Sequence, residues 1–237
     1  MNQEKYFRES LDDLLEIKQS FPESCRLVAL QPFDSSRSQT EKVISNLNNV
    51  LEIETPYANK VPMHIKQKFR SVKVVEKELE IVEMVKQNIK TIIFANKNTQ
   101  VHHICRILDM YNLHYLYWDG KVPRNDQIES HARPKRRFII DTLNNFNKGV
   151  ANTLITTDAF GRGVDFSDVK RVINWSPPYN SAIYLNRIGR MGRVNHSFVG
   201  EAITYRYSIL LATVTELIFI QYRSKYKFID RNDRRIS

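Results

Sequence analysis

Apolar residues in the middle of the chain fall into short continuous runs separated by stretches of helical period. Thr91–Phe94 is one such run, Tyr115–Trp118 a second, and Thr153–Thr156, Arg171–Asn174 and Glu201–Tyr205 follow. Between the first two, Val101, Ile104, Cys105 and Leu108 recur at i, i+3, i+4 and i+7, and Ile139, Ile140, Leu143 and Phe146 mark a further amphipathic helix. Strands without polar alternation are expected where helices cover both faces of a sheet. Strand–helix alternation predicts an α/β fold, a mainly parallel sheet flanked by helices and joined by right-handed crossovers. Ligands of such sheets sit at the loops leaving the carboxyl ends of the strands.

The two ends of the chain read differently. Phe7, Leu11, Leu14 and Leu15 form a helical stripe, Leu27–Leu30 a strand, and a polar stretch at 34–38 leads into a helix near Gln39–Leu47. Pro56 and Pro62 punctuate a linker. One strand and two helices are too little for an independent core. After 208, Leu210, Leu211, Val214, Leu217, Ile218 and Ile220 have the pattern of a docked helix, followed by Tyr222, Tyr226 and Phe228 among Arg223, Lys225 and Lys227. That alternation suits either base stacking with phosphate neutralisation or continued packing. The expected organisation is 1–61, 62–208 and 209–237.

Composition narrows the picture only a little. The 237 residues are 42% hydrophobic and carry 36 Lys and Arg against 26 Asp and Glu, a net charge of +10. The excess favours a polyanionic partner. No apolar run is long enough to span a bilayer, so no membrane association is expected. The N-terminus shows neither a secretory apolar region nor a transit-peptide pattern. With only Cys25 and Cys105, an intracellular, reducing compartment is expected, with cytoplasm, nucleus and organelle matrix equally open. Cys105 reads as a core thiol, and the histidines show no metal-ligand spacing, so no metal is expected.

Two stretches carry chemistry. Tyr184–Arg193 places Arg187, Arg190 and Arg193 at spacing three with Gly189 and Gly192 between them. Like charges on one helical side repel, and glycine lowers helix propensity by about 1 kcal/mol. An anion gripped by planar guanidinium forks explains both costs; the plain alternative is a solvated basic helix end. Thr156–Phe166 gathers two hydroxyls, two carboxylates, Arg162, Gly161 and Gly163 at a strand-to-loop junction. There Thr157 suits a phosphate, Asp165 a ribose hydroxyl and Arg162 an interface, whereas a tight glycine loop is the plain reading.

Together these stretches resemble the DEAD-box RNA helicases. Thr157–Asp165 looks like motif V and Asn186–Arg193 like motif VI, usually His-Arg-x-Gly-Arg-x-Gly-Arg; Ile92–Asn96 resembles motif IV, and Asp119–Gly120 the family's His-Gly. The likeness extends over roughly 62–208, and more weakly over 7–60, which resembles the end of the family's first lobe. It implies a RecA-like, P-loop NTPase-type C-terminal domain. It further implies a catalytic set of Arg187, Arg190 and Arg193. Arg190 and Arg193 would be arginine fingers to the γ-phosphate, and Arg187, with Arg162, would bridge to an acidic motif of the first lobe. Asp165, Arg162 and Gly163 would face ATP, and Asn96, Gly120 and Thr157 the RNA backbone. Asn186, Gly161, Met191 and Lys97 depart from the usual His, Ala, Thr and small hydroxyl residue.

The sequence contains neither a Gly-x-x-x-x-Gly-Lys-Ser/Thr loop nor Asp-Glu-Ala-Asp. Without that cradle for phosphates and Mg²⁺ the chain is expected to hold half of an ATPase site. ATP with Mg²⁺ is then expected only in a composite site with a complementary first lobe, and no cofactor is expected to bind tightly to this chain alone. The expected activity is sequence-independent RNA binding. The alternative is a non-catalytic module of a truncated or split helicase gene, contacting RNA or a regulatory protein. Between Gly120 and Phe146 the chain is longer than is usual for the family and holds Arg124, Arg133, Lys135, Arg136 and Arg137. These cations are expected to crowd a helix opening near Pro134 and, unless the segment is only a solvated loop, to meet RNA phosphates, with Arg136 and Arg137 foremost.

Overall fold

The structure, a computed structural model, describes residues 22, 51, 53, 61–62, 64–120, 133–160, 165–191 and 199–206. The chain divides into two compact units, Met1–Lys60 and Val61–Ser237. The elements expected before residue 60 and after 208 lie outside the described residues, as do Arg162, Gly163 and Arg193.

Six strands and four helices are described: β1 (Ile65–Ser71), α1 (Val74–Lys86), β2 (Thr91–Phe94), α2 (Asn98–Met110), β3 (Leu116–Trp118), α3 (Arg133–Asn147), β4 (Thr153–Thr156), β5 (Arg171–Asn174), α4 (Ser181–Ile188) and β6 (Gly200–Arg206). They form one sheet of order β1-β6-β5-β2-β4-β3 in which every pairing is parallel. The apolar runs account for β2, β4 and β5 with their bounds, while β1 and α1 were not foreseen and α4 was read only as a helical turn carrying Arg187. β1 hides in the pattern because, as an edge strand, it alternates. Gln67 and Phe69 face α4, where Tyr184 stacks on Phe69 and donates to Gln67 Oε1. Lys68 and Arg70, on the other face, meet Glu201 and Glu80.

One core layer joins Ile81, Val82 and Val85 of α1 and Val101, Ile104, Cys105 and Leu108 of α2 to Ile93, Ile155, Ile173 and Ile203 of the sheet. The period of two then sends Phe94, Thr156, Asn174 and Thr204 to the opposite face. Three of these four buried residues are polar, and all lie at or near the carboxyl ends of their strands. α3 opens at Arg133, one residue before Pro134, with no acidic residue in its first turn. Ile140, expected on its buried stripe, is exposed, and Thr142 is buried instead.

Candidate functional site

The carboxyl ends of β2, β5 and β4 stand side by side, so the residues leaving them converge. Ala95 N–H donates to the Thr156 carbonyl at 2.8 Å and Trp175 N–H to the Phe94 carbonyl at 2.9 Å, which fixes the three exits relative to one another. α4 faces these exits. Its first turn is capped by Asn180, whose Oδ1 accepts from Ile183 N–H at 2.8 Å. Tyr184, Leu185 and Ile188 bury its apolar face.

Arg187 lies on that buried face, 1% exposed. Its Nε and Nη2 grip Asp158 Oδ1 and Oδ2, each at 2.7 Å, a bidentate pair. Nη2 also donates to Asn96 Oδ1 at 2.8 Å, and Nη1 to Asn174 Oδ1 at 3.2 Å and to the Ser176 carbonyl at 3.4 Å. The Phe94 ring lies 5.4 Å from the guanidinium carbon. A guanidinium has five N–H donors, and these bonds engage all five. The expectation that Arg187 faces a phosphate or another lobe across an open cleft is therefore corrected: it has no donor left for an outside anion. The buried polar strand ends form the socket of this arginine, with Asn174 Nδ2 donating in turn to Thr204 Oγ1 at 2.9 Å.

Asn96 is drawn into the same network. Its Oδ1 accepts from Arg187, its Nδ2 donates to the Pro177 carbonyl at 2.8 Å, and its backbone N–H donates to Gln100 Oε1 at 3.0 Å. Expected as an RNA contact, it has both ends of its side-chain amide engaged by the protein. Thr157 is half-buried at the exit of β4. Gly120 ends the β3 exit with φ +84°, a left-handed conformation that L side chains resist, and a Cβ there would meet nothing within 4 Å. Beside it, Asp119 Oδ2 lies 3.0 Å from His102 Nε2, so a histidine from α2 stands against the carboxylate that replaces the family's His.

Arg187 and Arg190 do not share one helix, and Arg193 lies outside the described residues. α4 ends at Ile188, Gly189 caps it with an ordinary φ of −65°, and Arg190 follows in a turn. Arg190 Nε donates to the Asn186 carbonyl at 3.2 Å, and its guanidinium carbon lies 5.9 Å from the Phe166 ring. Phe166 follows the exposed Asp165 in the chain. Met191 is 2% exposed, and a Cβ at Gly200 would fall 3.2 Å from its Sδ, so this departure from threonine packs against β6. Arg136 and Arg137 fall in the opening turns of α3.

Trp175, first residue beyond β5, carries a second feature. Lys77 Nζ sits 3.6 Å from the centre of its ring, and burial pushes that ammonium down to about 8. His103 meets the other side of the cluster, edge-on to Trp175 at 5.8 Å and 2.8 Å from Glu78 Oε1. Sequence reasoning passed over Asn174, Ser176 and Gln100 as well. The available signal was a polar residue, Thr156 or Asn174, closing each of two strands whose interior positions are apolar.

An all-parallel sheet with helices on both faces, whose strand exits are knitted together by an arginine of α4, defines a RecA-like helicase C-terminal domain, and residues 71–195 match the family model of the helicase conserved C-terminal domain. That match covers more than half of the sequence, and the chain belongs to the DEAD-box RNA helicase family, whose C-terminal lobe it carries. It is similar to the probable ATP-dependent RNA helicase DDX28 of Mus musculus, 26% identical over 222 residues, which is 88% of this chain and 39% of that one. Among solved structures it is similar to domain 2 of the DEAD-box helicase Mss116p bound to an RNA duplex, at 25% identity and TM-score 0.51, over 67% of this chain and 60% of that one. The fold likewise matches Dbp5 of S. cerevisiae bound to RNA and ADP BeF3, at 23% identity and TM-score 0.66, over 92% and 54%. The chain spans between 22% and 39% of the length of the first curated relatives it matches. Among the described residues, no helix is long and apolar enough to cross a membrane.

Proposed function

We propose that this lobe binds the RNA backbone without regard to base sequence and supplies arginine fingers to an ATP site completed by a first helicase lobe. The observation that carries the proposal is the convergence of the β2, β4 and β5 exits with the Arg190 turn on one edge of the sheet. Thr157, the backbone of Gly120 and the cations Arg136 and Arg137 are the proposed RNA contacts. Asn96 supports them by shaping the β2 exit. Phosphate-directed contacts of this kind bind any sequence and weaken as salt rises.

Arg190 and Arg193 are the proposed fingers, Arg162 and Gly163 are further proposed nucleotide contacts, and Asp165 is the proposed acceptor from the ribose. The approach of Arg190 to the ring of Phe166, the residue after Asp165, supports a nucleotide with both a phosphate and a sugar to hold. Bound ATP supplies the phosphoryl group to be transferred, and a finger of this kind is worth on the order of 10³–10⁵ in rate. Mg²⁺ and the β-phosphate are assigned to the first lobe, so this chain alone hydrolyses no ATP. Single-stranded RNA retained in filter binding across a salt series, and RNA-stimulated ATP hydrolysis on mixing with a separate first lobe, are the expected results. Absence of RNA retention at low salt removes the first half, and no hydrolysis in the mixture removes the second.

A rival reading, a lobe that serves only as an interaction module, is favoured by one observation. The side chains of Arg187 and Asn96 are engaged by their own domain. Tight binding of a protein partner together with no RNA retention would select it.

A further inference from the structure

We propose that Arg187 is a positioning residue that couples the strand exits assigned to RNA to the turn assigned to the nucleotide. The inference rests on the functional reading above and deepens it. Arg187 holds something at each of its two ends. Its guanidinium fastens Asp158 from the β4 exit, Asn96 from the β2 exit, and Asn174 and Ser176 from the β5 exit. Its carbonyl accepts the Arg190 N–H at 3.2 Å, while the carbonyl of its neighbour Asn186 accepts from Arg190 Nε.

With all five donors used in a socket that is 1% exposed, the guanidinium has no slack. A shift of Thr157 or Asp158 on meeting RNA has to move the fork, and the backbone that carries the fork is tied to Arg190 through the Arg187 carbonyl, across one helix-end turn. Lysine cannot replace it. One ammonium holds three donors around a single nitrogen, whereas the Asp158 contact needs two parallel N–H groups and Asn96 and Asn174 need others on the far side. Gly189 suits the relay: its N–H donates to the Leu185 carbonyl at 2.8 Å, and a Cβ would lie only 2.9 Å from that oxygen, so the turn is closed tightly behind Arg187.

A plain buttress would also be buried and hydrogen-bonded, so the test must read coupling. Amide hydrogen exchange of the full chain is measured at 95–97, 157–160 and 189–191, with and without a single-stranded RNA oligonucleotide. The variants are Arg187→Lys and the milder Asp158→Asn, which keeps the shape of the partner. In the parent chain RNA should slow exchange at 157–160 and at 189–191 together. In either folded variant the slowing should stay at 157–160 and vanish at 189–191, with RNA affinity reduced at least about fivefold, a typical coupling. Slowing at 189–191 that survives in both variants overturns the proposal and leaves a buttress. If the parent chain binds no RNA, the RNA reading fails separately, and the RNA-free measurements decide the clasp. There the variants should exchange faster at 95–97 and 157–160 than in the strands 92–94 and 172–174; a uniform change or none overturns it.

Discussion

Lys77 carries its charge where the fold gives it little water. Only 7% of the residue is exposed, its Nζ stands over Trp175, and desolvation lowers its pKa from the usual 10.5 to about 8. The ring quadrupole attracts the cation, but burial dominates. From about pH 8 to the unfolded value, the unfolded chain holds a proton that the native state has lost. Stability therefore rises with pH through that window, and below it both states are charged and the desolvation cost is complete. Burial raises Cys105 to about 11, and Tyr205 shifts upward too, so these groups reduce stability as pH rises further. In urea unfolding, the parent chain should gain about 1 kcal/mol relative to Lys77→Met between about pH 7 and pH 9, allowing for partial screening. Parallel curves for the two proteins would refute the assignment. Residue types were readable at this scale where direction was not. Spacing placed three arginines on one helical side, yet the chain turns after Ile188, and only the socket of Asn174, Asp158 and Asn96 reveals that Arg187 points inward.

α2 illustrates how an element can keep its place while its start is poorly sealed. Lys97 occupies the N-cap with extended φ and ψ and makes no side-chain cap hydrogen bond. Gln100 compensates in part, its Oε1 accepting the Asn96 N–H at 3.0 Å and its Nε2 donating to Ser176 Oγ at 2.9 Å. A serine in that backbone conformation would satisfy an orphan N–H, and removing the lysine takes a cation off the positive end of the helix dipole. Lys97→Ser is expected to raise stability by about 1 kcal/mol, seen as a melting temperature higher by roughly 2–4 °C. An unchanged or lower value would mean that Gln100 already does the whole task. The elements that sequence made legible are those buried on both faces, such as β2 and β5, where the interior positions are all apolar. β1 escaped because its outer face is Lys66, Lys68 and Arg70, and α1 because its buried stripe of Lys77, Ile81, Val82 and Val85 contains a charge. Tertiary pairing, through Tyr184 and Glu80, makes both of them structural.

At the scale of the molecule, the family was legible because motif order survives even where single residues change, whereas the use of each residue depended on long-range contacts. The +10 charge is the property that belongs to the whole chain. Part of it stands where folding alone would not place it: α3 opens Arg133-Pro134-Lys135-Arg136-Arg137, four cations at a helix N-terminus with no acidic residue in the first turn. The macrodipole makes each such cation unfavourable by about 0.3–1 kcal/mol, so replacing three of them should stabilise the helix. Replacing Lys135, Arg136 and Arg137 together with Gln therefore separates binding from folding. If they meet RNA phosphates, the dependence of log affinity on log salt should lose about 2 units of slope, since each neutralised phosphate on a single strand contributes about 0.7. The melting temperature should meanwhile hold or rise, so that weaker binding cannot be blamed on a weaker fold. An unchanged slope would assign these charges to solvent and leave the RNA contacts of this lobe to its strand exits.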